Sequence, residues 1–357
     1  MTILVTGGAG FIGVNFVLEW FQTSDERIVN LDKLTYAGNL KSLASVLEDP
    51  RHEFSRADIG DASEVQKLLD MHQPSTIVHF AAESHVDRSI HGPGDFVSTN
   101  IVGTFRLLEE SRRYFENLQG SLRDNFRFIN VSTDEVYGSL GPDDEPSCEA
   151  SSYQPNSPYA ASKAAADHLF RSYFHTYGFP VITTNCSNNY GPYQFPEKLI
   201  PLMLLNGLQG RPLPIYGDGL NVRDWLYVGD HCAAIRLVLK SGRPGETYNI
   251  GGNAEMTNIQ LVTELCNLLD ELVDRRAVDK HSELISYVED RPGHDRRYAI
   301  DASKIRRELG WEPKESFGSG LRKTVTWYLQ NRDWIADIES GDYQKWIEMN
   351  YANRVSN

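Results

Sequence analysis

The chain has 357 residues, of which 40% are hydrophobic and 24% charged, with 28 Gly and 16 Pro. This composition is typical of a globular protein with one large domain and a second lobe, and it excludes collagen, coiled coil and low-complexity disorder. Lys and Arg number 35 against 49 Asp and Glu, which gives a net charge of −14. Because the positive field that attracts nucleic acid is missing, we exclude nucleic acid as a partner, whereas a small anionic substrate can still be bound by a few local Arg and Lys side chains.

The four cysteines, at positions 148, 186, 232 and 266, contain no C-x-x-C pair. This spacing argues against a disulfide framework and against a zinc site, so we predict buried thiols in a cytoplasmic protein and no metal. The first six residues are too short an apolar run for a signal peptide, and no later stretch approaches about 18 uninterrupted apolar residues. The sequence therefore predicts neither export by that route nor a membrane span.

Short apolar runs rich in β-branched residues alternate with amphipathic segments through the first half of the chain. The runs predict strands at residues 3–6, 28–31, 76–80, 128–131 and 181–184. The segments between them predict helices at residues 14–21, 62–71, 101–114 and 159–177. This alternation is typical of βαβ units, and it predicts an α/β fold with a doubly wound, mostly parallel sheet of the Rossmann type.

After about residue 186 the pattern loosens into pieces interrupted by Pro and Gly, with further helices at residues 259–272 and 321–329. Strand-like residues 225–228 and 248–250, around a helix near 231–240, are expected to return to the main sheet. We therefore predict two domains, each formed by two separate segments of the chain. The dinucleotide-binding domain would comprise residues 1–186 plus about 217–250, and a smaller C-terminal substrate-binding lobe would comprise about 187–216 and 251–345.

A glycine-rich loop, GGAGFIG at residues 7–13, lies between the first predicted strand and the first predicted helix. Glycines at this spacing allow a tight turn and bring the backbone and the helix N-terminus close to a pyrophosphate. Asp32 lies 19 residues beyond Gly13, at the end of the second strand, where a carboxylate accepts hydrogen bonds from the ribose of NAD and repels a 2′-phosphate. The pattern favours NAD, although the adjacent Lys33 leaves NADP open.

Tyr159 and Lys163 lie four residues apart on a predicted helix that begins after Ser157, has Pro158 in its first turn and ends near Gly178. Residues at this spacing share one face of a helix. We expect the Lys163 ammonium to lower the pKa of Tyr159 so that the phenolate can act as a general base. Many helices carry such a pair without any function, and the nearby dinucleotide loop is what favours catalysis here.

Asp134 and Glu135 directly follow the strand at residues 128–131. They would lie at the carboxyl edge of the sheet, where doubly wound proteins bind their ligands. Oxidation of a hydroxyl needs no such pair, but elimination of water needs one group to remove a carbon-bound proton and another to protonate the leaving hydroxyl. The alternative is an acidic pair that only caps a loop.

The GGAGFIG loop, Asp32, the Tyr159/Lys163 pair and Thr133 resemble the extended branch of the short-chain dehydrogenase/reductase superfamily, which acts on nucleotide sugars. Within that branch, nearly the whole chain is similar to the 4,6-dehydratase family whose substrate is dTDP-glucose. The segments that carry this similarity are HFAAESHVDRSI (79–90), STDEVYG (132–138), SPYAASKAAADH (157–168), NCSNNYGPYQFPEKLIP (185–201), RDWLYVGDH (223–231), YNIGG (248–252) and DRPGHDRRYAID (290–301).

The resemblance implies a set of residues that line NAD: Gly7, Gly10, Phe11, Ile12, Gly13, Asp32, Lys33, Leu34, Thr35, Asp58, Ile59, Phe80, Ala81, Ala82, Glu83, Ser84, Thr99, Tyr159, Lys163 and Asn189. It implies that Ser84 and Thr133 contact the sugar, and that Asn188, Arg223 and Asn258 bind the diphosphate. The nucleoside pocket would be formed by Lys198, Leu199, Pro214, Ile215 and Tyr216, and closed by Asp290, Arg291, Pro292, Gly293 and His294. The forked donors of Arg223 and Arg291 suit a phosphate on chemical grounds as well.

The reaction implied by the resemblance begins when Tyr159 takes the proton of the glucose 4-hydroxyl while hydride passes to NAD. Glu135 would then remove the proton from carbon 5, and a protonated Asp134 would donate to the departing 6-hydroxyl, before hydride returns to carbon 6. Two alternatives are a nucleotide-sugar 4-epimerase, which would not need Asp134 and Glu135, and an NAD-binding regulator without catalysis. The resemblance also implies a homodimer in which helices at about 100–115 and 159–177 pack against their copies, and a place in dTDP-rhamnose formation.

Overall fold

The computed structural model describes residues 2–274 and 278–338. Its strands are β1 (Thr2–Thr6), β2 (Arg27–Asp32), β3 (His52–Arg56), β4 (Thr76–His79), β5 (Arg127–Thr133), β6 (Val181–Cys186), β7 (Asn188–Tyr190), β8 (Leu213–Tyr216), β9 (Val222–Tyr227), β10 (Thr247–Ile250), β11 (Glu255–Thr257) and β12 (Ile285–Val288). Its α-helices are α1 (Phe11–Thr23), α2 (Ala62–His72), α3 (Val86–His91), α4 (Pro93–Phe96), α5 (Thr104–Asn117), α6 (Gly120–Asp124), α7 (Pro158–Tyr177), α8 (Leu199–Leu208), α9 (Val228–Ser241), α10 (Asn258–Leu272), α11 (Ser303–Leu309), α12 (Phe317–Gln330) and α13 (Arg332–Ile338). Short 3₁₀ segments lie at Leu40–Leu43, Asp134–Tyr137 and His281–Leu284, and Val97–Gly103 is π-helical.

A seven-stranded parallel sheet in the order β10-β6-β5-β4-β1-β2-β3 forms the centre of the molecule. Helices cover both faces, which explains why its inner strands are continuous apolar runs. The predicted α/β fold with a doubly wound parallel sheet is therefore confirmed. β3 was absent from the predicted strands because it is an edge strand with mixed polar and apolar residues, and only His52 of its residues is buried.

The strand order reverses between β1 and β4, since β2 and β3 extend the sheet on one side and β5, β6 and β10 on the other. At such a point the loops that follow the two strands diverge and leave a crevice at the carboxyl edge. The glycine-rich loop follows β1, and the segment with residues 80–84 follows β4. The topology thus brings both segments to one crevice.

Two apolar layers stabilise the sheet. On one face α1 and α9 pack through a cluster that includes Phe16, Val17 and Ile235. On the other face α2, α5 and α7 pack through a cluster that includes Leu107 and Phe170. All five of these side chains are fully buried, and burial of this kind contributes about 1.5–3 kcal/mol for each large apolar side chain.

The second lobe has its own apolar core, formed mainly by α8, α10 and α12 against two small sheets. One sheet has the order β11-β9-β7 and the other pairs β12 with β8. The expectation that residues 225–228 return to the main sheet is wrong, because β9 already pairs with β7 and β11 on its two sides. Residues 248–250 do join the main sheet, where β10 pairs with β6. The domain boundaries stay a prediction, and residues 339–345 of the second lobe lie outside the described residues.

The ends of α7 follow the predicted signals. The Ser157 side chain accepts a hydrogen bond from the backbone N–H of Ala160 at 3.0 Å, Pro158 is the first helical residue, and Gly178 ends the helix with a φ of +64°. The predicted helix at 101–114 begins as an α-helix only at Thr104, because the π-helical turn precedes it.

Within the described ranges, none of the helices combines the length and apolar character needed to cross a bilayer. Cys186, Cys232 and Cys266 are buried free thiols, whereas Cys148 is only partly buried.

Candidate active site

Three connected cavities lie along the carboxyl edge of the main sheet and continue between the lobes. The Asp32 cavity, of about 590 Å³, lies between the loops that follow β1, β2 and β4. It shares Gly7, Gly10 and Phe80 with the Tyr159 cavity, of about 1190 Å³. The Tyr159 cavity in turn shares Glu135 with the Arg291 cavity, of about 940 Å³. Together they form one continuous cleft.

The glycine-rich loop packs so closely that side chains would not fit at two of its glycines. Gly7 has a φ of +73°, and a Cβ there would lie 2.5 Å from the backbone nitrogen of Ala81. A Cβ on Gly13 would lie 2.2 Å from the backbone oxygen of Gly7, so α1 can approach β1 only because this residue is glycine. Gly10 precedes α1 without any side-chain cap, which leaves the first N–H groups of the helix to the cleft.

Asp32 ends β2 with its carboxylate at the rim of the Asp32 cavity. One carboxylate oxygen accepts the backbone N–H of Ala9 at 2.9 Å and the other that of Leu34 at 2.8 Å. Burial raises the pKa of Asp32, and those two hydrogen bonds oppose the shift. Lys33 forms an ion pair of 2.7 Å with Asp58, so its ammonium already has an anionic partner inside the protein. The donors of the loop and the carboxylate of Asp32 fit NAD.

The two predicted acidic residues begin a 3₁₀ turn immediately after β5. The Thr133 hydroxyl accepts the backbone N–H of Glu135 at 3.3 Å and donates to one carboxylate oxygen of Asp134 at 3.4 Å. The second oxygen of Asp134 is buried without a hydrogen-bond partner among the described residues. Asp134 therefore presents an unpartnered oxygen in the Tyr159 cavity, a site for a proton rather than for a structural hydrogen bond.

Lys163 is 4% exposed, and its ammonium donates to the backbone oxygen of Val131 at 2.9 Å. Tyr159 lies one helical turn earlier, is hydrogen-bonded to Thr133 and lies against the edge of the Phe96 ring. Both residues line the Tyr159 cavity with Thr133, Asp134 and Glu135. The structure thus brings together all five residues predicted to be catalytic.

The ionisation of these groups is set mainly by burial. Burial and then the Glu135 carboxylate raise the pKa of Asp134 well above its usual value, which favours the neutral acid form. Burial also raises the pKa of Glu135, but Arg291 and Arg223 oppose that shift. The two neighbouring carboxyls therefore differ in environment in the way that an acid and a base require.

The expectation that Lys163 lowers the pKa of Tyr159 is wrong for the protein alone. Burial, followed by the charge of Glu135, raises the pKa of the Tyr159 phenol well above its usual value. Burial also lowers the pKa of Lys163, whose ammonium is directed to the Val131 carbonyl rather than to the phenol. A buried cavity that contains two carboxyl groups disfavours a further negative charge.

Most of the remaining predicted residues line the cleft in three groups. Gly7, Gly10, Asp32, Lys33, Thr35, Asp58, Ile59, Phe80, Ala81, Ala82, Glu83 and Thr99 line the Asp32 cavity. Phe11, Ile12, Gly13, Ser84, Asn188, Asn189 and Lys198 line the Tyr159 cavity. Asn188, Lys198, Leu199, Pro214, Ile215, Tyr216, Arg223, Asn258, Arg291 and His294 line the Arg291 cavity.

Four predicted residues are not among those that line the three cavities. Leu34 adopts a left-handed conformation with a φ of 56°, and its side chain packs against the apolar layer of α1. Asp290, Pro292 and Gly293 belong to the loop after β12, of which only Arg291 and His294 reach the Arg291 cavity. The carboxylate of Asp290 is instead hydrogen-bonded to His294 at 2.6 Å. These four residues therefore shape loops beside the cleft.

Several residues that the sequence did not single out also line the cleft. Three have a buried polar group there: Asp87, Gln194 and Glu197. A carboxylate in the partly apolar segment QFPEKLI could have identified Glu197, whereas the polar neighbours of Asp87 in SHVDRSI give no such signal. Some atoms in the cleft are buried and lack a partner among the described residues, namely the Asn188 and Gln194 side-chain oxygens, Trp225 Nε1 and Arg291 Nε. Such atoms are free to bind a polar ligand.

Comparison with known proteins adds independent information. A family model described as GDP-mannose 4,6 dehydratase matches residues 4–324. A dTDP-glucose 4,6-dehydratase of Xanthomonas campestris is 59% identical over 343 residues, which cover 96% of this chain and 97% of that protein. A crystal structure of dTDP-glucose 4,6-dehydratase from Streptomyces venezuelae, with NAD and a second ligand bound, is 48% identical, covers 95% of this chain and 100% of that chain, and has a TM-score of 0.86.

The fold alone does not separate dehydratases from epimerases. The UDP-glucose 4-epimerase of Thermus thermophilus, solved with NAD, has a TM-score of 0.80 but is only 28% identical, with 93% of this chain and 100% of that chain covered. Sequence identity makes the distinction, at 59% and 48% to the two dehydratases against 28% to the epimerase. The chain belongs to the nucleotide-sugar 4,6-dehydratase family of the extended short-chain dehydrogenases/reductases, together with the dTDP-glucose 4,6-dehydratases.

Proposed function

We propose that this protein dehydrates dTDP-glucose to dTDP-4-keto-6-deoxyglucose, with NAD as a cofactor that is regenerated in every turnover. The observation that carries the proposal is the acidic pair Asp134–Glu135, held at the end of β5 in the same cavity as Tyr159 and Lys163. A redox reaction alone would leave two carboxyls of raised pKa in this cavity without a role. An elimination uses both.

In this reaction NAD takes a hydride from carbon 4 of the sugar and later returns it to carbon 6. Tyr159 must be a phenolate to accept the proton of the 4-hydroxyl, and because burial beside Glu135 disfavours that form in the protein alone, the positive charge of a bound oxidised cofactor would be needed to favour it. The resulting ketone makes the proton on carbon 5 acidic. Glu135 removes that proton, and Asp134, whose raised pKa favours the neutral form, protonates the departing 6-hydroxyl so that water leaves. Glu135 then returns a proton to carbon 5.

The rest of the cleft has the chemistry to bind the nucleotide. Arg223 is 5% exposed, and two of its guanidinium nitrogens donate to the backbone oxygens of Val222 and Asp295. Arg291, with its buried Nε, supplies a second fixed cation in the Arg291 cavity. The buried charge of Arg223, whose hydrogen bonds go to backbone oxygens, would be offset by a diphosphate in this cavity.

We also propose a homodimer that works in the cytoplasm. The exposed apolar side chains of Val102 and Phe105 before and in α5, and of Tyr177 at the end of α7, support contacts between these helices and their copies. Each has at least 42% of its surface exposed in the single chain. Light scattering at micromolar concentration is expected to give the mass of a dimer, and the mass of a monomer would contradict the proposal.

The test of the reaction is incubation of the purified protein with dTDP-glucose and no added reductant. We expect the sugar nucleotide to lose the mass of one water and to show the absorbance of a ketosugar after alkali treatment, while the amount of NAD stays unchanged. A galactose epimer with no change in mass would identify an epimerase instead. Binding of the nucleotide with no conversion would identify a regulator.

A further inference from the structure

Asp87 on α3 connects the two lobes inside the Arg291 cavity. Its side chain is only 4% exposed, although it lies on a short helix at the edge of the main domain. One carboxylate oxygen accepts the hydroxyl of Tyr216 at 2.9 Å, and the other accepts Nη1 of Arg291 at 3.0 Å. Both partners belong to the second lobe.

The two partners of Asp87 are themselves held next to each other. Tyr216 ends β8, and β12 pairs with β8 in parallel so that Val288 is opposite Tyr216. Arg291 follows β12 by three residues and thus leaves the small sheet on the same side as Tyr216. The Asp87 carboxylate therefore holds both Tyr216, which lines the Arg291 cavity, and Arg291 itself.

The contact with Asp87 uses one of the three guanidinium nitrogens of Arg291. Nη1 is bonded to Asp87, whereas Nε is buried and has no partner among the described residues. A guanidinium has a fixed planar fork, so anchoring one nitrogen sets the direction of the others. An arginine that is oriented before the ligand arrives loses less conformational entropy on binding.

We propose that Asp87 is a positioning residue that orients Arg291 and Tyr216 for the diphosphate and nucleoside of the substrate. Asp87 does not contact the reacting atoms; it acts through Arg291. The role extends to the chemical step, because Arg291 and Glu135 line the same cavity and the positive charge of Arg291 opposes the effect of burial on the Glu135 carboxyl. This inference rests on the proposed function.

The electrostatics of the pair agree with this geometry. Burial alone would raise the pKa of Asp87, but Arg291, His85 and Tyr216 lower it overall, so the carboxylate is charged at neutral pH. Loss of that charge would leave Arg291 as a buried cation without its protein partner, and its side chain would be free to turn to other acceptors.

The experiment compares Asp87→Asn with Arg291→Gln and with the double variant, all as the NAD-loaded protein. For Asp87→Asn we expect the Kd for dTDP, measured by calorimetry, and the KM for dTDP-glucose to rise about 10- to 100-fold, with a smaller change in kcat. In the Arg291→Gln background the same substitution should change the Kd by less than about twofold, because residues that act as a unit are not additive. A structural role for Asp87 would give equal effects in both backgrounds.

Two further variants complete the design. Asp218→Asn removes a carboxylate from an exposed pair with Arg296 of 2.8 Å in the same lobe, and it should leave the Kd unchanged. Tyr216→Phe keeps the ring and removes only the hydroxyl bonded to Asp87, so it tests the same contact if Asp87→Asn does not fold. It should raise the Kd in the wild-type background and have no effect beside Asp87→Asn.

The outcomes separate this inference from the proposed function. An unchanged Kd in Asp87→Asn and Tyr216→Phe, or equal effects with and without Arg291, would overturn the positioning role while the wild-type protein still dehydrates dTDP-glucose. A wild-type protein that binds dTDP but does not release water from dTDP-glucose would overturn the proposed function alone.

Discussion

The ammonium of Lys163 donates a 2.9 Å hydrogen bond to the backbone oxygen of Val131, two residues before Thr133 on β5. This bond joins α7 to the strand that carries the acidic pair, so the position of Tyr159 depends on the position of Asp134 and Glu135. Lys163 is also a buried cation, and its nearby acidic residue Asp167 is held by Asn130 and Ser132 at 2.8 Å each.

Replacement of Lys163 by Met should remove this cation and loosen α7 from β5. We expect the dehydration rate to fall about 10²- to 10⁴-fold, the usual contribution of a positioned acid–base group. The measurement is steady-state formation of the ketosugar, together with the NAD content of the purified protein. Lys67→Met, which removes an exposed lysine paired with Glu64, is the control and should keep wild-type activity. Full activity in the Lys163 variant would remove this residue from the mechanism.

Glu135→Gln and Asp134→Asn should impair different steps of the reaction. In heavy water, wild-type enzyme should incorporate deuterium at carbon 5, since Glu135 removes and returns that proton. Glu135→Gln should lose the exchange and the release of water. Asp134→Asn should retain exchange but release water slowly, because the leaving hydroxyl has no acid. Mass spectrometry of the sugar nucleotide measures both events, and exchange that persists in Glu135→Gln would show that another group is the base.

The pH dependence of kcat/KM should be bell-shaped. Glu135 must be ionised, and burial raises its pKa, so activity should rise with pH through a value above that of an ordinary glutamate. Asp134 must be protonated, and its pKa is raised well above the usual value, so activity should fall as the pH passes that higher value. Because the two carboxyls interact, the apparent pKa values of the two limbs of the pH profile belong to the pair and not to either residue alone. The descending limb should change in Asp134→Asn, and an unchanged limb would assign it to another group.

Gly13→Ala should destabilise the protein and weaken NAD binding. Its Cβ would lie 2.2 Å from the backbone oxygen of Gly7, so α1 must move away from the loop. We expect a cost of about 1–3 kcal/mol in the free energy of unfolding, as for other overpacked sites. Gly318→Ala in α12 is the matched control, because nothing lies within 4 Å of its Cβ and alanine favours a helix. Thermal unfolding and NAD content measure both variants; a neutral Gly13→Ala would contradict the tight packing.

The parts of the fold that could be predicted are those with a local signal. β1, β2, β5 and β6 are almost entirely buried and rich in β-branched and other apolar residues, and α7 has a cap at each end. β3 has no such signal because an edge strand mixes polar and apolar residues. The position of β9 depends on pairing with strands far along the chain, which short-range patterns do not encode.

The candidate site likewise contains residues that the sequence groups together and residues that only the fold brings together. The glycine loop and the residues from 132 to 135 are consecutive in the chain, so their grouping is visible in the sequence. Asp87 and Arg291 are separated by 204 positions, and only the folded structure brings them together. The raised pKa of Tyr159 was also missed, because burial depends on the walls of a cavity built from several distant segments.

Thr133, Asp134 and Glu135 are three consecutive residues at the end of one rigid strand. Thr133, which is hydrogen-bonded to Tyr159, therefore moves together with Asp134 and Glu135. No domain movement is needed between the redox step and the elimination. The arrangement also places the residues proposed for the elimination in one short segment of the chain. The two positions proposed for the elimination are neighbours in the chain, and they are separate from the dinucleotide loop, the helix with Tyr159 and Lys163, and the nucleotide pocket.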